Sequence, residues 1–89
     1  MDNEEIMKRL KEVGGFFEVS YKTTFVGYRR NKDGREQEVL VDIFDHGAGT
    51  GDSRYFCVAT SEDGEVVTGN PSSNLELTLS TVHWYNLDK

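Results

Sequence analysis

The sequence predicts an α+β domain in two layers, with a helix at each end and a three- or four-stranded antiparallel meander between them. Three observations carry this prediction. An acidic helix start stands at 2–5 (DNEE), a capping-box pattern stands at 73–76 (SNLE), and two Asp-Gly turns at 33–34 and 63–64 punctuate a strand-rich middle. At 89 residues the chain is expected to form a single domain, 1–89.

The N-terminal helix is predicted over residues 3–13. Ile6, Leu10 and Val13 recur at i, i+4 and i+7, which places them on one face of a helix. Glycine follows at 14 and 15, and Gly14 is the expected left-handed cap that ends the helix.

Alternating apolar and polar residues predict strands over 16–30, 36–46, 54–61 and 65–69, the last ended by the Asn-Pro pair at 70–71. The first turn sets the register of the first two strands. If Gly34 is left-handed at the end of a three-residue loop, Asn31 faces Arg35 and Phe25 faces Val41.

The second turn, between Ser61 and Glu65, repeats this three-residue pattern. It predicts that Thr60 lies opposite Val66 and that Val58 lies opposite Thr68. The last segment is ambiguous, because the leucines at 75, 77 and 79 alternate as in a strand but also fit a helix face. The capping box favours a helix over 73–86 with Ser73 as its N-cap, so we expect Ser73→Ala to destabilise the fold.

The composition restricts the function. Sixteen acidic against ten basic residues give a formal charge of −6, which argues against binding to nucleic acid or to an anionic membrane. An acidic N-terminus and no long apolar run predict a cytoplasmic protein with no membrane span. Cys57, mid-strand and without cationic neighbours, is expected to be a small hydrophobe that is buried or half-buried.

The strand pattern suggests an interaction surface. If both helices cover the sheet face that carries Phe17, Val19, Phe25, Val41 and Ile43, the opposite face is unusually apolar. That opposite face would carry Val26, Tyr28, Leu40 and Phe44, joined by Tyr55, Cys57 and Val67. The alternative is a three-layer fold with one helix on each face.

The sequence therefore favours a small acidic interaction or regulatory module without catalytic activity, cofactor or metal. Its expected partner is a protein or a second copy of itself, bound through Val26, Tyr28, Leu40 and Phe44.

A second hypothesis rests on the glycine-rich loop at 45–54. A phosphate or another small molecule, with or without an enzymatic reaction, would be held there by Asp45, His46, Gly49, Gly51 and Arg54. The loop joins two strands, however, and lacks the Gly-Lys-Ser/Thr of a phosphate loop. The simpler interpretation is a mobile loop without packing anchors, with an exposed His46 and a helix-terminal His83 that show no metal-ligand spacing.

A third hypothesis is RNA binding through the 22–35 hairpin. This hairpin carries basic residues interleaved with aromatic ones, namely Lys22, Arg29, Arg30, Lys32 and Arg35 with Tyr21, Phe25 and Tyr28. The helix–meander–helix order also resembles that of double-stranded-RNA-binding domains. Their basic motif at the start of the second helix is absent, since residues 72–76 read SSNLE.

Overall fold

The computed structural model, which describes residues 1–88, confirms the α+β layout. Four strands form one open antiparallel sheet in the order β1-β2-β3-β4, with a helix before it and a helix after it. The elements are α1 (Asn3–Gly14), β1 (Tyr21–Arg30), β2 (Glu36–Asp45), β3 (Tyr55–Ser61), β4 (Val66–Thr68) and α2 (Leu75–Ser80), with 3-10 helices at Gly51–Ser53 and Trp84–Asp88.

The turn between β1 and β2 has the predicted geometry. Gly34 is left-handed at φ 78°, and the Asn31 amide donates to the Arg35 carbonyl at 2.9 Å. The Asn31 side chain also accepts hydrogen bonds at 3.0 Å from the amides of Asp33 and Arg35. Phe25 therefore lies opposite Val41, as predicted.

The turn between β3 and β4 repeats this geometry. Gly64 is left-handed at φ 87°, and the Ser61 amide donates to the Glu65 carbonyl at 2.9 Å. The predicted pairing of Thr60 with Val66 is confirmed, together with the rest of the β3–β4 register.

The first strand is shorter than predicted. It begins at Tyr21 instead of residue 16, because β2 ends at Asp45, the partner of Tyr21, and leaves residues 16–20 outside the ladder. Ser20 instead uses its hydroxyl, which lies 2.6 Å from the His46 Nδ1 atom.

The core lies between one face of β2, β3 and β4 and the C-terminal segment of the chain. Its buried residues are Val39, Cys57, Ala59, Val67, Val82 and Leu87, with Val41, Ile43, Leu79 and Trp84 packed around them. Gly69 lets α2 approach the sheet, because a side chain there would collide with the Thr78 backbone. The Gln37 amide nitrogen donates to the Leu87 carbonyl at 3.0 Å, which ties the chain end to β2.

Three residues expected on the opposite face lie on this covered face instead. Tyr55, Cys57 and Val67 share it with Val39, and Cys57 is fully buried. The prediction was wrong because the loop between β2 and β3 does not set a register as the short turns do. The expectation of a buried Cys57 is confirmed, and burial raises the pKa of its thiol, with the Asp42 charge adding to the effect.

The N-terminal helix does not cover the sheet face on which it was expected. Phe17 is 95% exposed and Phe25 is 56% exposed, while Met7 is the only buried residue of α1. Asp2 caps the helix by accepting from the Glu5 amide at 2.8 Å. The left-handed residue at its other end is Gly15, at φ 71°, and not Gly14.

The C-terminal helix is shorter than the predicted 73–86, and its N-cap is not Ser73. The cap is Asn74, whose side chain accepts from the amides of Glu76 and Leu77. The helix ends at Ser80. The Thr81 hydroxyl then donates to the Thr78 carbonyl and accepts from the Asn70 amide, and the chain continues into the 3-10 helix.

We predict that Asn74→Ala destabilises the domain by about 1 kcal/mol, because two helix-end amides lose their acceptor. Ser73→Ala, at an exposed neighbouring position, is expected to change the free energy of unfolding by less than about 0.5 kcal/mol. Urea titration followed by circular dichroism measures both values. Equal losses in the two variants would show that Asn74 is not the cap in solution.

Candidate functional site

Within the described residues 1–88, no helix lies over the sheet face opposite the core. Val26 is 54% exposed, Tyr28 66%, Leu40 41% and Val66 56%. Val26 lies directly opposite Leu40, so these side chains form a continuous patch across β1 and β2. We call this surface, made of the even-numbered residues of the four strands, the open face.

Phe44, which also lies on the open face, is half-buried. Its ring lies 6.4 Å from the ring of Phe56, and the Lys22 ammonium lies 5.7 Å above it. The same ammonium is 3.7 Å from the Asp42 carboxylate. Of the four residues expected to bind a partner, Val26, Tyr28 and Leu40 are therefore exposed. Phe44 is half-buried and packs against Phe56 and Lys22.

The glycine-rich loop is closed at its base by an ion pair. Arg54 donates to both carboxylate oxygens of Asp45, at 3.0 and 3.2 Å, and the Gly47 amide donates to the same carboxylate at 2.9 Å. The hydrogen bond from Arg54 holds the pKa of the Asp45 carboxyl below its usual range, and partial burial opposes this effect. Asp45 and Arg54 thus satisfy each other, while Gly49 and Gly51 are exposed further along the loop.

The first helix is anchored to this loop. The Glu4 carboxylate accepts from the Ala48 amide at 2.8 Å and lies 3.8 Å from the Arg54 guanidinium. Gly47 is buried and left-handed, and a side chain there would press on Glu4 and Met7. The expectation of a loop without packing anchors is wrong at Gly47, because α1 packs against it.

His46 is half-buried and not exposed as expected. Its Nδ1 atom lies 2.6 Å from the Ser20 hydroxyl and 3.8 Å from the Glu18 carboxylate. A Ser-His-acid relay needs the two ring nitrogens to contact different partners, whereas here one nitrogen faces both. The group does not have the geometry of a nucleophilic triad.

A cleft of about 310 Å³ opens beside His46, between the end of α1 and the loop. Lys11 and Glu18 both contribute to its lining, together with the aromatic ring of Phe17 and the loop residue Thr50. The cleft therefore presents charges of both signs. A second cleft of about 330 Å³, which shares Lys11, His46 and Thr50, is lined by Gly49, whereas Gly51 lies outside both linings.

Some of the basic residues of the 22–35 hairpin are engaged by other groups of the chain. Arg29 pairs with Asp88 at 2.8 Å, and Arg30 donates to the Gly34 carbonyl at 3.1 Å. His83 is exposed beyond the end of α2 and stacks on Tyr85 at 5.6 Å. The start of α2 carries Asn74 and Glu76, without a basic cluster.

Sequence reasoning missed the contacts that α1 and Ser20 make with the loop. No spacing in the sequence connects Glu4 or Met7 with Gly47 or Ala48.

Within residues 1–88 no group of three or more His, Cys, Asp or Glu residues is arranged to hold a metal ion. No helix in that range is long and apolar enough to cross a membrane. Comparison with protein-family models, with curated proteins and with solved structures found no match to this chain.

We predict that Asp45→Asn lowers stability at neutral pH and that the difference from the wild type disappears in acid. The folded-state pKa of Asp45 lies below its ordinary value of 3.8, so its contribution is present above that value and is lost as the pH falls through the folded-state pKa. Urea titrations between neutral pH and strong acid measure this. A difference that does not depend on pH would contradict the assignment.

We predict that the exposed part of the glycine-rich loop, around Gly49 and Gly51, is mobile. Amide order parameters should be lowest at Gly49 and Gly51, because nothing lies near enough to pack against a side chain at either position. Order parameters as high as those of the strands would contradict this prediction.

Proposed function

We propose that this chain is a protein-interaction module that binds its partner through the open face and has no catalytic activity of its own. The observation that carries the proposal is the exposed apolar row of Val26, Tyr28 and Leu40 on a sheet face without a covering helix. Contiguous apolar patches with a polar border mark interaction surfaces in folded domains.

The chemistry of the patch fits a protein partner better than a nucleic acid. Tyr28 supplies a large rigid side chain of the type that dominates binding energy at interfaces. Glu38 and Asp42 lie beside the apolar row on β2 and would repel phosphate groups. The paired state of Arg29 also removes one of the cations that RNA binding would use.

A second candidate function is the binding of a small anion in the cleft beside His46, where Lys11 supplies the positive charge. Arg54, expected to bind this anion, is held by Asp45 instead. Titration with inorganic phosphate, followed by amide chemical shifts, tests this candidate. Shifts confined to residues 46–53 and the end of α1 would support it, and their absence would remove it.

The main proposal is tested with two matched double variants. Tyr28→Ala/Leu40→Ser removes exposed apolar side chains from the open face. Leu77→Ser/Tyr85→Ala removes side chains that are 56% and 67% exposed elsewhere on the molecule. We expect the first variant to lose at least about tenfold in partner affinity and the second to keep wild-type affinity, because only the first alters the binding surface.

The measurement is quantitative mass spectrometry of proteins retained by the immobilised chain, followed by titration of the retained partner. Circular dichroism on each variant controls for folding. Equal retention by the two double variants would overturn the assignment of the binding surface. Phe44→Asp is a weaker probe, since Phe44 packs against Phe56 and its loss also threatens the fold.

A further inference from the structure

We propose that the partner is a second copy of this chain, which pairs antiparallel with the free edge of β1 and extends the sheet to eight strands across a twofold axis. This inference goes beyond the proposed function, because it names the partner and assigns it to the free edge of β1, which carries Tyr28 of the open face but not Leu40 of β2. The order β1-β2-β3-β4 leaves β1 without a neighbour on its outer side.

The backbone of β1 offers a regular row of outward-facing groups. The Asn31 amide donates to the Arg35 carbonyl, so the odd-numbered residues of β1 direct their backbone groups toward β2. The residues with outward N–H and C=O groups are therefore the even ones, Lys22, Thr24, Val26, Tyr28 and Arg30. They provide a ten-residue edge without a proline or a bulge.

The other edge of the sheet is protected. Strand β4 has only three residues, Val66–Thr68, and Pro71 follows shortly after it. A short strand and a nearby proline are two devices that prevent pairing at a sheet edge. The contrast identifies β1 as the edge that is left open to another strand.

The exposed surface of the chain is larger than that of a compact monomer. A 10.1 kDa protein is expected to expose about 5,300 Å², whereas this chain exposes 6060 Å². The surplus of about 800 Å² is spread over the chain, and part of it lies in the N-terminal region, where Val13 and Phe17 are exposed. Four of the exposed large hydrophobic side chains lie on β1, namely Tyr21, Phe25, Val26 and Tyr28.

The side chains of β1 are complementary to themselves in one register. With Phe25 opposite Phe25 of the second copy, Lys22 lies opposite Tyr28, and Tyr21 opposite Arg29. Lys22 and Tyr28 form a cation–aromatic pair, Arg29 keeps its ion pair with Asp88, and no two like charges face each other. The neighbouring register, with Val26 opposite itself, would set Lys22 against Arg30 and is disfavoured by repulsion.

The first experiment blocks the edge with a proline and matches the lost side-chain contact in a control variant. Thr24→Pro removes an outward N–H, which an edge strand tolerates, while Thr24→Val keeps that N–H. Both variants lose the hydrogen bond from Thr24 to Asp42, so they are matched. In sedimentation equilibrium, we expect the wild type and Thr24→Val to dimerise and Thr24→Pro to remain a folded monomer.

The second experiment tests the register and stays informative if Thr24→Pro does not fold. Phe25→Cys places two thiols across the axis at a Cα separation of about 4.5 Å, within disulfide range. Thr23→Cys is the control, because its two thiols would lie about 13 Å apart along the strands. Cys57 is buried and does not compete.

Mild oxidation should link the Phe25→Cys chains and leave the Thr23→Cys chains unlinked. Equal linkage of the two variants, or a wild type that is monomeric at every concentration, would overturn the proposal. If Thr24→Pro still associates while Tyr28→Ala/Leu40→Ser does not, the open face remains the binding surface and the β1 edge is excluded. If the wild type neither dimerises nor retains any protein, the proposed function fails as well.

Discussion

The packing of the C-terminal segment on one face of the sheet is the constraint on which the rest of the structure depends. Leu87 and Thr78 are fully buried there, and Gly69 allows the close approach of α2. Side chains from β1 and β2 hold the chain end in place, through the Arg29–Asp88 ion pair and the bond from Gln37 to the Leu87 carbonyl. A segment of this length covers β2, β3 and β4, which leaves β1 and the open face without cover.

The register of the two hairpins was predictable because it depends on local chemistry. Asn31 and Gly34 specify a three-residue turn through a side-chain acceptor and a left-handed glycine, and Gly64 does the same at the second turn. Such turns determine the pairing of both flanking strands without reference to the rest of the fold. That register places Val26, Tyr28 and Leu40 on one face of the sheet, and the position of the helices then leaves that face accessible.

Three features were not predictable because they depend on contacts outside the local sequence. They are the side chains of β3 that face the core, the place where α1 packs, and the residue that caps α2. The loop from His46 to Arg54 contains no short turn that fixes the sheet face on which Cys57 lies. Cys57 lies on the face that packs in the core, where it is fully buried. The position of α1 rests on the hydrogen bond that the Ala48 amide donates to the Glu4 carboxylate, between residues 44 positions apart. At the helix start, Ser73 and Asn74 are both good N-caps, and only the backbone path selects Asn74.

The inequality of the two sheet edges limits how far such chains can assemble. In polymer chemistry, a unit with one reactive end is called monofunctional, and two such units that join have no reactive end left. The open edge of β1 corresponds to that reactive end. Because β4 is short and followed by Pro71, a joined pair would present no further site for growth. A sheet with one open edge can therefore pair with one partner but cannot form a fibril, because a fibril needs two open edges on every unit.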